Sequence, residues 1–231
     1  GEVPHRYVLG LYEFLDRLGK RYPDMLIEGC SGGGGRFDAG MLHYTSQIWC
    51  SDDTDAIERL KIQYGTSFAY PVSTVGSHVS ACPNHQTGRF VPFESRATVA
   101  MAGTFGYELD PAKLSEEEKQ QIQEQIAEFK KYYDVIHFGN YYRLTNAMEE
   151  GPYAAWEFAK EDGSEALVSV VASRVRTNDP GVRIKLRGLK ENQIYLVNGV
   201  EYPGGALMHG GLLLEEAKKE YQSWNYHIVM K

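Results

Sequence analysis

Three carboxylates fall within four residues in Ser51-Asp52-Asp53-Thr54-Asp55, between a strand-length run and the start of a helical pattern. Like charges that are crowded and partly buried raise the pKa of one carboxyl group, which then keeps a proton for a leaving group at neutral pH. The same residues have a commoner structural use, in which one Asp caps a helix and the others stay solvated. Spacing alone leaves both readings open. Trp49, three residues before Asp52, carries an indole that can stack on a sugar as readily as fill a core.

Two further groups are chemically competent. Cys30-Ser31 followed by Gly32, Gly33, Gly34 and Gly35 could cradle a phosphate. The Gly-Lys-Ser/Thr and Gly-x-Gly-x-x-Gly spacings of nucleotide loops are absent, however, so the run reads as a turn or as a place where any ligand nears the backbone. His78, Cys82 and His85 fall within eight residues, but their spacing fits no zinc pattern and Pro83 interrupts them. They read as hydrogen-bonding groups on a loop. No Gly-x-Ser-x-Gly elbow supports a serine triad.

Composition narrows the partners. The 231 residues are 42% hydrophobic, enough for one sizeable core or a core plus a satellite domain. A net charge of -7 without clustered Lys and Arg argues against nucleic acid and favours a neutral, sugar-like ligand. The 16 tyrosines suit carbohydrate surfaces and cores alike. Three scattered cysteines, Cys30, Cys50 and Cys82, are not a disulfide framework and point to a reducing, cytoplasmic setting. No run reaches the roughly 20 apolar residues of a membrane helix, and GEVPHRYV lacks signal-peptide features, so no membrane partner is expected. The absence of an initiator Met leads us to expect a fragment or processed product.

The elements that must position these residues follow from periodicity. Val8, Leu11, Tyr12, Leu15 and Leu18 make one helical stripe that Pro23 ends. Short strands are expected at Met25 to Ile27, Gln47 to Cys50, Tyr70 to Val79 and Thr104 to Leu109, with helices at Thr54 to Ile62, capped by Asp53 or Thr54, and at Phe93 to Met101. Ser115 and Glu118 form a capping box for the longest helix, which runs to about residue 135. Beyond Gly151-Pro152 the texture becomes antiparallel, with strands at Leu167 to Val171, Val182 to Leu186, Gln193 to Val197 and Trp224 to Met230. Turns fall at Asp162-Gly163, Asp179-Pro180-Gly181, Asn198-Gly199 and Pro203-Gly204-Gly205. The fold class is therefore α/β: four β/α units over residues 1-150, an open sheet or half of an eight-stranded barrel, then a small antiparallel β-sandwich over 151-231.

Three long strings, Cys30 to Leu42, Gln47 to Ser67 and Gly76 to Arg89, resemble in order the bacterial α-galactosidases of glycoside hydrolase family 36. The resemblance implies the second half of a (β/α)8 TIM barrel followed by the sandwich, and hydrolysis of terminal α-linked galactose by a retaining mechanism. It assigns the acid/base role to Asp52, and the sugar site to Cys30, Gly33 and Trp49, with Ser51 and Asp53 beside them. Asp53 and Asp55 would hold the loop and raise the pKa of Asp52. No metal or cofactor is implied. The family's nucleophile lies in a Lys-Trp-Asp-Met-Asn string that this sequence lacks, so the expected partners are an α-galactoside and the N-terminal remainder of the enzyme, a homo-oligomer when full length. The chain alone is then expected to be inactive. The rival readings are carbohydrate binding without hydrolysis, and galactosyl transfer as in raffinose synthases.

Overall fold

In a computed structural model, which describes residues 1–175 and 181–231, the chain begins with helix α1 (Glu2–Arg21) and continues as β/α units. These are β1 (Glu28–Gly29) with α2 (Ala39–Tyr44), β2 (Gln47–Ile48) with α3 (Ala56–Thr66), β3 (His78–Ser80) with α4 (Phe93–Ala100), and β4 (Gly106–Glu108) with α5 (Glu116–Phe138). Strand β1 pairs β2 in parallel, Ile48 of β2 bridges Val75 in parallel, and β3 pairs β4 in parallel. The bonds Trp49 N–H to Gly29 C=O (2.7 Å), Gly76 N–H to Ile48 C=O (2.9 Å) and Gly106 N–H to Ser77 C=O (3.0 Å) stitch these pieces into one wall. It is the second half of a (β/α)8 barrel.

The strands are shorter than periodicity indicated. Met25 and Leu26 are exposed and lie outside β1. The stretch expected as a strand from Tyr70 instead makes a 3-10 turn at Val72–Thr74, because Pro71 fixes its own φ and has no N–H to give a ladder. Helix α5 carries its capping box as expected, with Glu118 N–H on Ser115 Oγ at 3.1 Å and Ser115 N–H on Glu118 Oε2 at 2.9 Å.

The rest of the chain is antiparallel. Strands β5 (Asn140–Arg143), β6 (Tyr153–Ala159), β7 (Glu165–Ala172), β9 (Ile194–Val197), β10 (Val200–Pro203) and β12 (Ser223–Met230) form one sheet in the order β10-β9-β12-β7-β6-β5. A two-stranded ribbon of β8 (Arg183–Ile184) and β11 (Leu212–Leu213) is the second layer. Asn198 and Gly199, both at positive φ, turn β9 into β10. Asp179 and Pro180 of the expected turn lie outside the described residues.

Both faces of the large sheet are covered. Tyr153, Ala155, Val168, Val170 and Ile228 pack with Ile184, Leu186 and Leu212 on the ribbon side. Trp156, Phe158, Leu167 and Val171 pack on the other side against Leu60, Val99, Tyr132 and Val135 of the barrel helices. The sandwich therefore shares a core with the half-barrel.

One carboxyl group is sealed in this sheet. Glu157 is fully buried, one of its oxygens accepts the Arg187 N–H at 2.7 Å, and the other has no partner among the described residues. Burial pushes its pKa from 4.5 up to about 8, although the Arg187 N–H pulls the other way. The unfolded chain releases this proton near its ordinary pKa, whereas the folded chain keeps it up to about pH 8, so stability falls as pH rises through that window. Glu157→Gln keeps the shape and cannot ionise. Urea midpoints at pH 5 and pH 8 should diverge less for this variant than for the parent, by on the order of 3 to 5 kcal/mol in free energy. Identical pH slopes would show that Glu157 is ionised in the fold.

Candidate active site

The end of β2 carries the candidate residues into a loop. Ile48 is fully buried and anchors the strand, and Trp49 emerges beside it, half-buried. The indole stacks on the imidazole of His78, with centroids 4.6 Å apart and planes 21° apart, and the guanidinium of Arg59 lies 4.7 Å from its centroid. It is thus fixed by a cation–π contact and a stacked ring.

The glycine run packs against the same loop. Gly33 has φ +70, and a Cβ there would meet the Asp52 backbone nitrogen at 3.0 Å; a Cβ on Gly34 would meet Cys50 C=O oxygen at 2.9 Å. The glycines therefore admit a neighbouring loop of the same chain as well as leaving backbone uncovered. Cys30 sits at the foot of this run, its C=O accepting the Gly34 N–H at 3.1 Å, and its thiol is free. Cys30, Gly33, Trp49, Ser51, Asp52 and Asp53 come together at one end of the parallel strands.

The three carboxylates have three different fates. Asp55, with a side chain that is 0% exposed, caps α3 by accepting Ile57 N–H at 2.8 Å and Glu58 N–H at 3.4 Å. This corrects the expected cap: Asp53 and Thr54 lie before the helix, which starts at Ala56 and not at Thr54. Arg89 Nη1 makes a close ion pair with Asp55 at 2.7 Å, by proximity and not by an aligned hydrogen bond, and the Thr87 hydroxyl donates to the same carboxylate. Burial alone would raise the Asp55 carboxyl, but Thr87, Arg89 and the Ile57 N–H outweigh it and hold the pKa below its ordinary value. Asp53 accepts the Asp55 N–H at 2.9 Å and its own N–H donates to Ser51 Oγ at 3.1 Å. Asp52 is exposed, and among the described residues no group donates a hydrogen bond to its carboxylate.

Residues that the pattern of carboxylates did not reveal hold this loop. Arg59, 2% exposed, donates to Gly76 C=O at 2.5 Å, to Ser51 C=O at 3.3 Å and to Gln63 Oε1 at 3.2 Å. It ties the end of β2 to the approach to β3. From the loop after β3, Gln86 bonds the backbone at Asp52 and Thr54, and the Asn84 side chain donates to Thr54 Oγ1 at 3.0 Å. A buried Arg in a helix and a polar turn after a strand were the available signals, and each has ordinary structural uses. His78 is spent on Trp49 and lies 3.6 Å from Glu108, while Cys82 and His85 are exposed; among the described residues no three His, Cys, Asp or Glu side chains are grouped to hold a metal.

Parallel strands thus end in loops that carry an exposed carboxylate, Asp52, and an indole stacked on His78, Trp49. Residues 1–139 match the family model Melibiase, and residues 153–228 match the glycosyl hydrolase family 36 C-terminal domain. The chain belongs to the melibiase family. It is 56% identical over 228 residues to the bifunctional alpha-galactosidase/sucrose kinase AgaSK of Mediterraneibacter gnavus, covering 98% of this chain and 24% of that protein. It is 48% identical to the alpha-galactosidase AgaA of Geobacillus stearothermophilus, covering 98% and 31%. A solved structure of an AgaA variant from that organism in complex with raffinose superposes with a TM-score of 0.96 at 46% identity, covering all of this chain and 32% of that one. The chain thus spans about a quarter to a third of the length of these relatives.

The ion pair at Asp55 gives a stability test. Asp55→Ala removes the α3 cap and leaves the Arg89 charge without its buried partner. We expect a loss of about 3 kcal/mol in unfolding free energy at pH 7. The depressed Asp55 pKa implies stability that is present above its ordinary value of 3.8 and lost as pH falls through the folded value, so the parent but not the variant should lose this increment in acid. Parallel acid melts of the two would show otherwise.

Proposed function

We propose that this chain supplies the acid/base half of an active site that hydrolyses terminal α-linked galactose with retention of configuration, within a longer enzyme that brings the second carboxylate. The observation that carries the reading is Asp52: it stands exposed at the end of a parallel strand, with its backbone pinned and its carboxyl group uncommitted. The raffinose complex of the related structure supports a galactoside ligand of the raffinose or melibiose type.

In this reading the sugar lies over Trp49, with Cys30, Gly33, Ser51 and Asp53 around it. The Asp52 carboxyl donates its proton to the glycosidic oxygen as the second carboxylate attacks the anomeric carbon, so the C–O bond to the leaving group breaks and a galactosyl–enzyme ester forms. Asp52, now ionised, takes a proton from water, whose oxygen attacks the anomeric carbon and frees galactose. The two carboxyl groups of such a site stand about 5 Å apart. No step needs a metal or a cofactor.

The second carboxylate comes with the rest of the barrel. Val3 (79% exposed) and Phe14 (60%) on α1 and Leu26 (89%) before β1 leave apolar surface bare, and β1 is an edge strand. A remaining half-barrel would cover that surface and pair that edge.

Asp52→Asn in the full-length enzyme tests the acid role. For raffinose, with its poor alkoxide leaving group, kcat/KM should fall by about a hundredfold to ten-thousandfold. An aryl α-galactoside whose phenol leaves without a proton should lose far less. Equal losses on both substrates would remove Asp52 from the acid role.

A further inference from the structure

A carboxyl group on a loop is useful as a proton donor only if the loop holds still. Asp52 has no hydrogen bond on its own carboxylate among the described residues, so its direction is set by the backbone of residues 51 to 54. That backbone crosses from β2 to α3 outside any helix or strand. Its peptide groups are held from outside the loop chiefly by one side chain. The Gln86 Nε2 donates to Asp52 C=O at 3.0 Å, and the Gln86 Oε1 accepts from Thr54 N–H at 3.0 Å.

Those two bonds act on the two peptide planes that flank residue 53, one on each. A rotation about either plane would break a bond, so the amide works as a two-point clamp. Gln86 is itself held. Its backbone N–H and that of Thr87 donate to the Asn84 side-chain oxygen at 2.9 and 3.0 Å, Asn84 is buried, and Thr87 and Arg89 are bound to Asp55 at the start of α3. The turn from residue 84 to 89 therefore rests on the helix that follows the acid loop, and Gln86 reaches back from it over that loop.

We propose that Gln86 is a positioning residue for Asp52, fixing the backbone that aims the carboxyl group at the glycosidic oxygen. The proposal rests on the acid role argued above. Both ends of the Gln86 amide are engaged with backbone, so it transfers no proton and acts only through the loop. A proton donor displaced by an ångström loses much of its effect, and the loss is greatest where the leaving group depends on the proton.

The experiment uses the full-length enzyme with Gln86→Met, which keeps the length and loses both bonds, Gln86→Glu, which keeps the acceptor for Thr54 N–H and loses the donor to Asp52 C=O, and Asp52→Asn as reference. The readout is kcat/KM on raffinose and on an activated aryl α-galactoside, with inhibition by free galactose as a measure of the sugar site. We expect Gln86→Met to lose about tenfold to a hundredfold on raffinose, to keep aryl activity within about threefold, and to bind galactose unchanged. Gln86→Glu should show the same bias, and it decides the matter if the Met variant does not fold. Equal losses on the two substrates, or none, overturn the proposal while Asp52→Asn stays selective. If Asp52→Asn is itself unselective, the acid role fails and the proposal fails with it.

Discussion

The buried carboxylate of Asp55 is the point where helix, loop and sheet are joined. It accepts the free N–H groups that open α3, and it is paired with Arg89 from the loop after β3. Arg89 also meets Glu58 on α3 at 3.3 Å and lies 5.8 Å from the ring of Tyr221 in the antiparallel region. A buried ion pair adds little stability over an apolar pair of the same shape, because desolvation offsets the attraction. Breaking it by removing one partner is costly, however. The pair thus sets where the pieces sit more than how firmly they hold, which is the property an active-site loop requires.

Arg59 does the corresponding work beneath the loop. Its guanidinium is shared among the carbonyls of Ser51 and Gly76 and the amide of Gln63, and the Gln63 amide in turn reaches Val99 C=O at 3.1 Å. One side chain of α3 therefore binds two adjacent strand ends and, through Gln63, α4. Trp49 lies against that guanidinium, so the indole is aimed by the same group that closes the wall below it. Gly76 is pressed to within 3.0 Å of the indole at its missing Cβ, which leaves no room there for a side chain. A substitution at Gly76 would disturb the ring before it disturbed the strand.

Strong local signals in the sequence translated into structure. The Ser115–Glu118 box starts α5 because two orphan N–H groups are satisfied by residues three apart, and Asn198-Gly199 turns a hairpin because both residues accept positive φ. Nonlocal effects were not legible. The segment Tyr-Ala-Ala-Trp-Glu-Phe-Ala of β6 is buried on both faces and shows no alternation, while its Ala and Glu content argues for helix. The α3 cap was misplaced because Thr54 is drawn off by Asn84 and Gln86, about thirty residues away, and Asp55 is chosen by Arg89. In the candidate site the motif residues stand out by resemblance, whereas the groups that hold them, Arg59, Asn84 and Gln86, are set by contacts across the fold.

The cluster at residues 52, 53 and 55 admitted two uses, a helix cap or a proton donor, and the structure gives the cap to Asp55 and leaves the Asp52 carboxylate without a hydrogen bond among the described residues. A carboxylate that caps a helix has its oxygens filled by N–H groups, and its proton affinity falls accordingly, as at Asp55. Such a group cannot also serve as an acid near neutral pH. Asp53 is likewise taken up by the Asp55 N–H. With those two consumed in building the turn, the third carboxylate is left exposed on a backbone that Gln86 pins, in the loop against which Gly33 packs. The cap and the acid are therefore not alternatives. In the proposed mechanism the capped turn is what holds the Asp52 carboxyl on its loop.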